Sequence, residues 1–167
     1  KFQSYTNVYI KGAVDGFNFN VAAYVGEVGI ATHGDKVYIY GATNYTDSLF
    51  VKDELITIFP GIGAFVLTFN DQLILEDQFF YGMNPGANHY DAKLLLDQDG
   101  DYHLSGRFSG VDPNYVLTIA DDSLKTIANM AENMTYFYVK VNHETKLVEF
   151  TNVYGGGYTN WWNIAGF

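Results

Sequence analysis

What most constrains this chain is a rhythm. Short stretches of Tyr, Phe, Val, Ile and Thr recur between glycines and Asn/Asp pairs along almost its whole length. The first group fits a pleated, half-buried surface, and the second supplies tight turns. In residues 6–13, Val8 and Ile10 alternate with Tyr9 and Lys11. Asp15-Gly16 follows as a hairpin signal, because Gly tolerates positive φ, and Phe17, Phe19 and Val21 alternate with Asn18 and Asn20 on the way back. Residues 28–32 and 36–40 flank His33-Gly34-Asp35. Residues 55–59 stop at Pro60-Gly61, and 63–69, 73–75 and 78–81 continue the series. Residues 89–96 and 101–108 enclose Asp97-Gln98-Asp99-Gly100. After a strand at 115–120, residues 134–142 and 146–154 enclose His143-Glu144-Thr145.

The pattern predicts an all-β fold, an antiparallel β-sandwich or open barrel of about 9–11 strands. One segment departs from it. Over 121–134, Leu124, Ile127, Ala128, Ala131 and Met134 recur three or four apart, which predicts one short helix capped by Asp121 or Asp122. Such a helix would cross an open sheet end or cover an edge strand. No internal repeat, linker or low-complexity tract is legible, so residues 1–167 read as one domain.

Charge and composition exclude several classes. With 9 Lys+Arg against 19 Asp+Glu, the net charge of −10 opposes binding to nucleic acid or to an anionic membrane surface. With no cysteine there is no disulfide, iron–sulfur cluster or thiolate nucleophile. No apolar run approaches the roughly 18–20 residues of a transmembrane helix.

The Asp97-Gln98-Asp99-Gly100-Asp101 stretch offers alternating carboxylates, so Asp97, Asp99 and Asp101 are the candidate ligands for a hard cation such as Ca2+. An EF-hand loop would close on a bidentate Glu, whereas residues 108 and 109 are Phe and Ser. The preferred reading is therefore a hairpin turn with no metal and no other cofactor. His33, His89, His103 and His143 are scattered. His89 and His103 are expected to sit on the turn or strand surface, with a mixed site near Asp91 and Asp101 as the alternative. No G-x-S-x-G elbow, P-loop or G-x-G-x-x-G opening a helix is present, and Gly155-Gly156-Gly157 lacks a following Lys. The chain thus reads as a non-enzyme with no catalytic residues. The alternative is a carboxylate hydrolase, for which Asp53/Glu54 and Glu76/Asp77 are the adjacent acidic pairs.

The C-terminal segment supplies the expected contact surface. Tyr154, Tyr158, Asn160, Trp161 and Trp162 lie in a stretch rich in Gly and Asn. Such aromatics anchor protein partners, and they also stack on sugar rings while Asn amides bond hydroxyls. One Trp is expected in the core and the other partly exposed. Two sequons, Asn44-Tyr45-Thr46 and Asn133-Met134-Thr135, bear on a eukaryotic secretory route only.

Several motifs carry a resemblance. Val14-Asp15-Gly16-Phe17-Asn18-Phe19, Gly63-Ala64-Phe65-Val66-Leu67, Leu104-Ser105-Gly106-Arg107-Phe108 and Phe150-Thr151-Asn152 resemble strands of small secreted or lipid-anchored β-sandwich domains from Bacteroidota. Asp47-Ser48-Leu49 and Asp122-Ser123-Leu124 match the O-glycosylation pattern of envelope proteins in that group. The resemblance implies an exported domain at the cell surface or the periplasmic face of the outer membrane, with a lipid-bearing Cys expected upstream of Lys1. The expectation is an accessory or structural, protein-binding subunit of an envelope assembly. A glycan-binding module using the C-terminal aromatics is the alternative.

Overall fold

The computed structural model describes residues 8–12, 28–43, 47–59, 63–82, 87–110, 116–120, 122–125 and 135–155. These form β1 (Val8–Gly12), β2 (Gly29–His33), β3 (Lys36–Thr43), β4 (Asp47–Val51), β5 (Glu54–Ile58), β6 (Gly63–Phe69), β7 (Leu75–Tyr81), β8 (Ala87–Leu96), β9 (Tyr102–Gly110), β10 (Val116–Ile119), β11 (Asp122–Lys125), β12 (Thr135–Val141) and β13 (Val148–Gly155). All pairings are antiparallel. A middle sheet has the order β2-β3-β6-β7, an open sheet β13-β12-β9-β8 and a covering sheet β1-β4-β5, while β10 and β11 form a separate hairpin. No sheet of the described residues closes on itself. The fold is thus an all-β sandwich, and the barrel alternative falls away.

Strand β6 explains the layering. All seven of its residues are buried, although a strand in a two-layer sandwich shows one face to water. Ala64 and Val66 join Tyr38, Ala42, Phe79 and Tyr81 of the middle sheet and meet Leu94, Tyr102, Leu104, Phe137, Val139 and Val141 of the open sheet. The alternate residues Phe65, Leu67 and Phe69 meet Leu49, Val51 and Phe59 on the other side. The middle sheet therefore lies between two layers. Its fully covered Leu and Phe side chains each contribute about 1.5–3 kcal/mol by burial alone.

The two four-stranded sheets are built on one plan. In each, two hairpins pair through their inner strands, β3 with β6 and β9 with β12, and a further hairpin is inserted between those strands. The inserted hairpins, β4–β5 and β10–β11, both leave their first strand through a residue at positive φ, Lys52 (50°) and Ala120 (52°). The likeness reaches single residues. Gly41 faces Phe65 and Gly106 faces Phe137. A Cβ on Gly41 would lie 3.1 Å from the Phe65 ring, so glycine makes room for the aromatic. Asn70 after β6 matches Asn142 after β12. In both loops the Asn N–H donates to the carbonyl of the last loop residue, Ile74 (3.1 Å) or Leu147 (2.9 Å). In both, a residue at positive φ, Leu73 or Lys146, precedes it, and the Asn amide donates to a glutamate on the returning strand, Glu76 or Glu149. Both strand pairs also slip register at that glutamate.

One sequence expectation is corrected here, and two features go beyond what the sequence shows. Over 122–125 the expected helix is strand β11, paired Leu117↔Leu124 within its hairpin; residues 121 and 126–134 lie outside the described residues. Helix propensity is a weak prior, and a tight turn at Ala120 with a ladder partner overrides it. The plan shared by the two four-stranded sheets is illegible in the sequence, because loop lengths differ and only a few spaced residues coincide. Strand β4 was unanticipated, since Lys52-Asp53 lacks the Gly that marks most two-residue hairpin turns.

Candidate functional site: the open face of the β8–β9–β12–β13 sheet

Four hairpin turns, at 34–35, 70–74, 97–101 and 142–147, gather at one end of the molecule. Sheet register brings the first two together and the last two together. Contacts between layers then join the pairs. His33 lies beside Gly100, with Nε2 at 3.6 Å from the position of a Cβ there, and the His143 ring lies 3.9 Å from the same point. The Lys146 ammonium donates to Asp77 on the middle sheet (2.5 Å), to the His143 carbonyl (2.5 Å) and to the Tyr102 hydroxyl (3.1 Å). Burial alone would lower the Lys146 pKa, but Asp77 and Tyr102 outweigh it and the net shift is upward.

The turn at 97–101 is organised by Asp97. Its Oδ1 accepts the N–H groups of Asp99 and Asp101, both at 3.0 Å, and Gly100 takes the positive φ of 84°. Its Oδ2 accepts from His103 Nε2 and from Lys140, both at 3.1 Å. Asp101 is buried at 4% exposure. Its Oδ1 accepts from the His143 N–H (3.0 Å) and Nδ1 (3.1 Å), and its Oδ2 from Lys140 (3.0 Å). Lys140 also meets Glu149 at 3.0 Å. The His103 bond, with help from Lys140 and the turn N–H groups, holds the Asp97 carboxyl well below the usual range. The His143 N–H does the same for Asp101, and Asp101, Glu149 and Asp97 together raise Lys140. Beyond this knot, the Tyr138 hydroxyl bonds His103 Nδ1.

The same side chains open onto a surface. Register aligns Leu95, His103, Lys140 and Phe150 in one row across the sheet, then Lys93, Ser105, Tyr138 and Asn152, then Arg107 and Tyr136. Leu95 is 61% exposed and Phe150 52%. The Phe150 ring meets Tyr138 edge-on at 6.0 Å. This face therefore combines apolar anchors, tyrosines and fixed charges.

The expected site residues fare unevenly. Asp97 and Asp101 meet as anticipated, but their four carboxylate oxygens are engaged by protein donors, and Asp99 contributes its N–H to the turn. No group of three or more His, Asp or Glu among the described residues is placed to hold a metal ion. Register does not set His89 opposite His103. His89 pairs with Phe108 and His103 with Leu95, because the strand register sets them six residues apart on β8. Of the acidic pairs, Glu76 and Asp77 are bonded to Lys36 and Lys146, and Asp53 and Glu54 sit at the β4–β5 turn. Tyr154 stands opposite Tyr136 in backbone register, while Tyr158, Asn160, Trp161 and Trp162 lie outside the described residues. Ser48 and Ser123 of the two Asp-Ser-Leu motifs are ladder positions in β4 and β11.

The residues that sequence reasoning passed over are Tyr138, Lys140 and Glu149. For the first two the signal was the alternation of β12, Tyr136, Tyr138 and Lys140 against Phe137, Val139 and Val141. No helix among the described residues is long and apolar enough to cross a membrane. Compared with protein-family models, with curated proteins and with solved structures, the chain matches none.

Proposed function

We propose that this chain is a non-enzymatic interaction domain that docks a protein partner on the open face of the β8–β9–β12–β13 sheet. One observation carries the reading. The equivalent face of the middle sheet, at Ala64, Val66 and Thr68, is covered by a whole second sheet, whereas here Tyr136, Tyr138 and Lys140 stand in those places. Tyrosine and arginine are favoured as interface anchors, and exposed Leu95 and Phe150 add apolar area to the same rows. Leu95 supports a protein partner in particular, since an aliphatic side chain offers no ring for a sugar to stack on. The resemblance of its strand motifs extends the reading to an accessory or structural subunit of an exported envelope assembly.

The test is the native mass of gently extracted protein, as wild type and as the Leu95→Asp/Phe150→Asp variant. A defined high-mass complex is expected for the wild type, falling to a folded monomer in the variant. A wild-type monomer overturns the reading. Glycan binding at Tyr136, Tyr138 and Asn152 would then be screened by intrinsic fluorescence.

A further inference from the structure

Three side chains on the open face form a chain of hydrogen bonds from two different hairpins. Asp97 lies in the β8–β9 turn, His103 on β9 and Tyr138 on β12, and the pairing Lys140↔His103 and Tyr138↔Ser105 brings the last two together on one face. Asp97 Oδ2 can only accept, because its carboxyl is kept ionised by His103, Lys140 and two backbone N–H groups. The His103 proton therefore sits on Nε2, 3.1 Å from that oxygen. In that tautomer Nδ1 offers a lone pair, and the Tyr138 hydroxyl, which bonds that nitrogen, is the donor. A hydroxyl bonded to a base that is itself oriented by a third group is the arrangement that activates nucleophiles in acyl-transfer enzymes.

We propose that Tyr138 is an activated phenol that accepts acyl groups from activated esters, with His103 as its base and Asp97 as the positioning residue. The step balances without an outside reagent. The phenol oxygen bonds the acyl carbonyl carbon while its proton passes to His103 Nδ1. The bond from that carbon to the leaving oxygen then breaks, and that oxygen, which in an activated ester is less basic than a phenoxide, takes the proton from His103. The products are a tyrosyl ester and the acidic hydroxyl compound that the activated ester carried. Tyr138 is half-buried on the solvent side, so small acyl donors can reach it.

Acetylation with p-nitrophenyl acetate, an activated ester, followed by peptide mass spectrometry, tests this on the intact chain. Tyr136 is the internal reference, half-buried on the same face two residues away. Tyr138 should acetylate at least about a hundredfold faster, the low end for general-base assistance. His103→Gln should bring Tyr138 down to the rate of Tyr136. Asp97→Asn keeps an oxygen for the turn N–H groups but removes the anion, and should lower the Tyr138 rate by at least about threefold while leaving Tyr136 unchanged. The proposal is overturned if wild-type Tyr138 and Tyr136 label alike, or if the preference for Tyr138 survives both substitutions. Should His103→Gln fail to fold, the wild type against Asp97→Asn decides the matter alone.

Discussion

The half of the molecule running from β2 to β7 and the half from β8 to β13 share strand order, inserted hairpin and Asn-anchored turn, yet one of their two faces differs in character. Phe65, Leu67 and Phe69 correspond to Phe137, Val139 and Val141, and both trios are buried under a neighbouring layer. On the opposite face, Ala64, Val66 and Thr68 correspond to Tyr136, Tyr138 and Lys140. The first trio is covered by the open sheet and the second faces solvent. Side-chain character at equivalent positions thus follows what lies over the strand, and the backbone plan is indifferent to it. Repeat architectures show the same division, with interior units apolar on both sides and the terminal unit polar on its outer side.

Substitutions that exchange characters between the halves should break the comparison most sharply. Val66→Lys puts at the covered position the residue type found at neighbouring Lys140. A charge forced between two sheets without a partner should cost more than about 4 kcal/mol, measured by urea denaturation. The reciprocal Tyr138→Val, on the solvent side, should cost only about 1 kcal/mol, mainly its hydroxyl bond to His103. If both cost the same, coverage is not what separates the faces.

Next in size are Phe65→Ala and Phe137→Ala, each expected to cost about 3–5 kcal/mol. Equal losses would show that the covering sheet and the middle sheet seal their neighbours equally well. Smaller still are Asn70→Ala and Asn142→Ala. Each removes the side-chain oxygen that holds its turn, through Gln72 and Ile74 in the first case and Glu144 and Thr145 in the second. About 1–2 kcal/mol apiece is expected in the same denaturation measurement.

Acid should act unequally on the halves. Asp97, Asp101 and Glu76 all have lowered pKa values, so they bind protons less tightly folded than unfolded. Their stabilisation is whole above the ordinary carboxylate values of about 3.9–4.3 and is lost as pH falls below them. Two of the three lie in the β8–β9 turn. Hydrogen exchange at about pH 3 should therefore open the open sheet before the middle sheet, and Asp101→Asn should reduce the acid response. The raised Lys36, Lys140 and Lys146 act in the opposite sense, holding stability below about pH 10.4 and losing it above. At the small end, Phe150→Ala on the exposed row should shift stability by no more than about 0.5 kcal/mol. A larger loss would mean that this row is already covered within the monomer.

Much of the strand content could be read in advance, and the reasons are local. A glycine or an Asp-Gly pair marks the turns at Gly34 and Gly100, where positive φ is required, and alternation marks β2, β9 and β12. The β4–β5 and β10–β11 hairpins escaped because Lys52, Asp53 and Ala120 take positive φ without glycine. Leu124 looked helical because three- and four-residue spacing over a short window suits either period. The site was harder still. Asp97 and Asp101 were visible as a turn, but Tyr138 lies 35 residues from its partner His103, and nothing in either local stretch points to the other.

By itself, then, the sequence determined the all-β class, the position of most turns and the acidic balance, because each depends on dihedral preference, period and charge within a few residues. The tertiary structure decided which face of each strand is covered. It also decided that His33, His103 and His143 meet at one end, and that Asp97, His103 and Tyr138 form one chain of bonds. Alternation distinguishes the two faces of a strand without saying what lies against either, and only the pairing of distant strands supplies that.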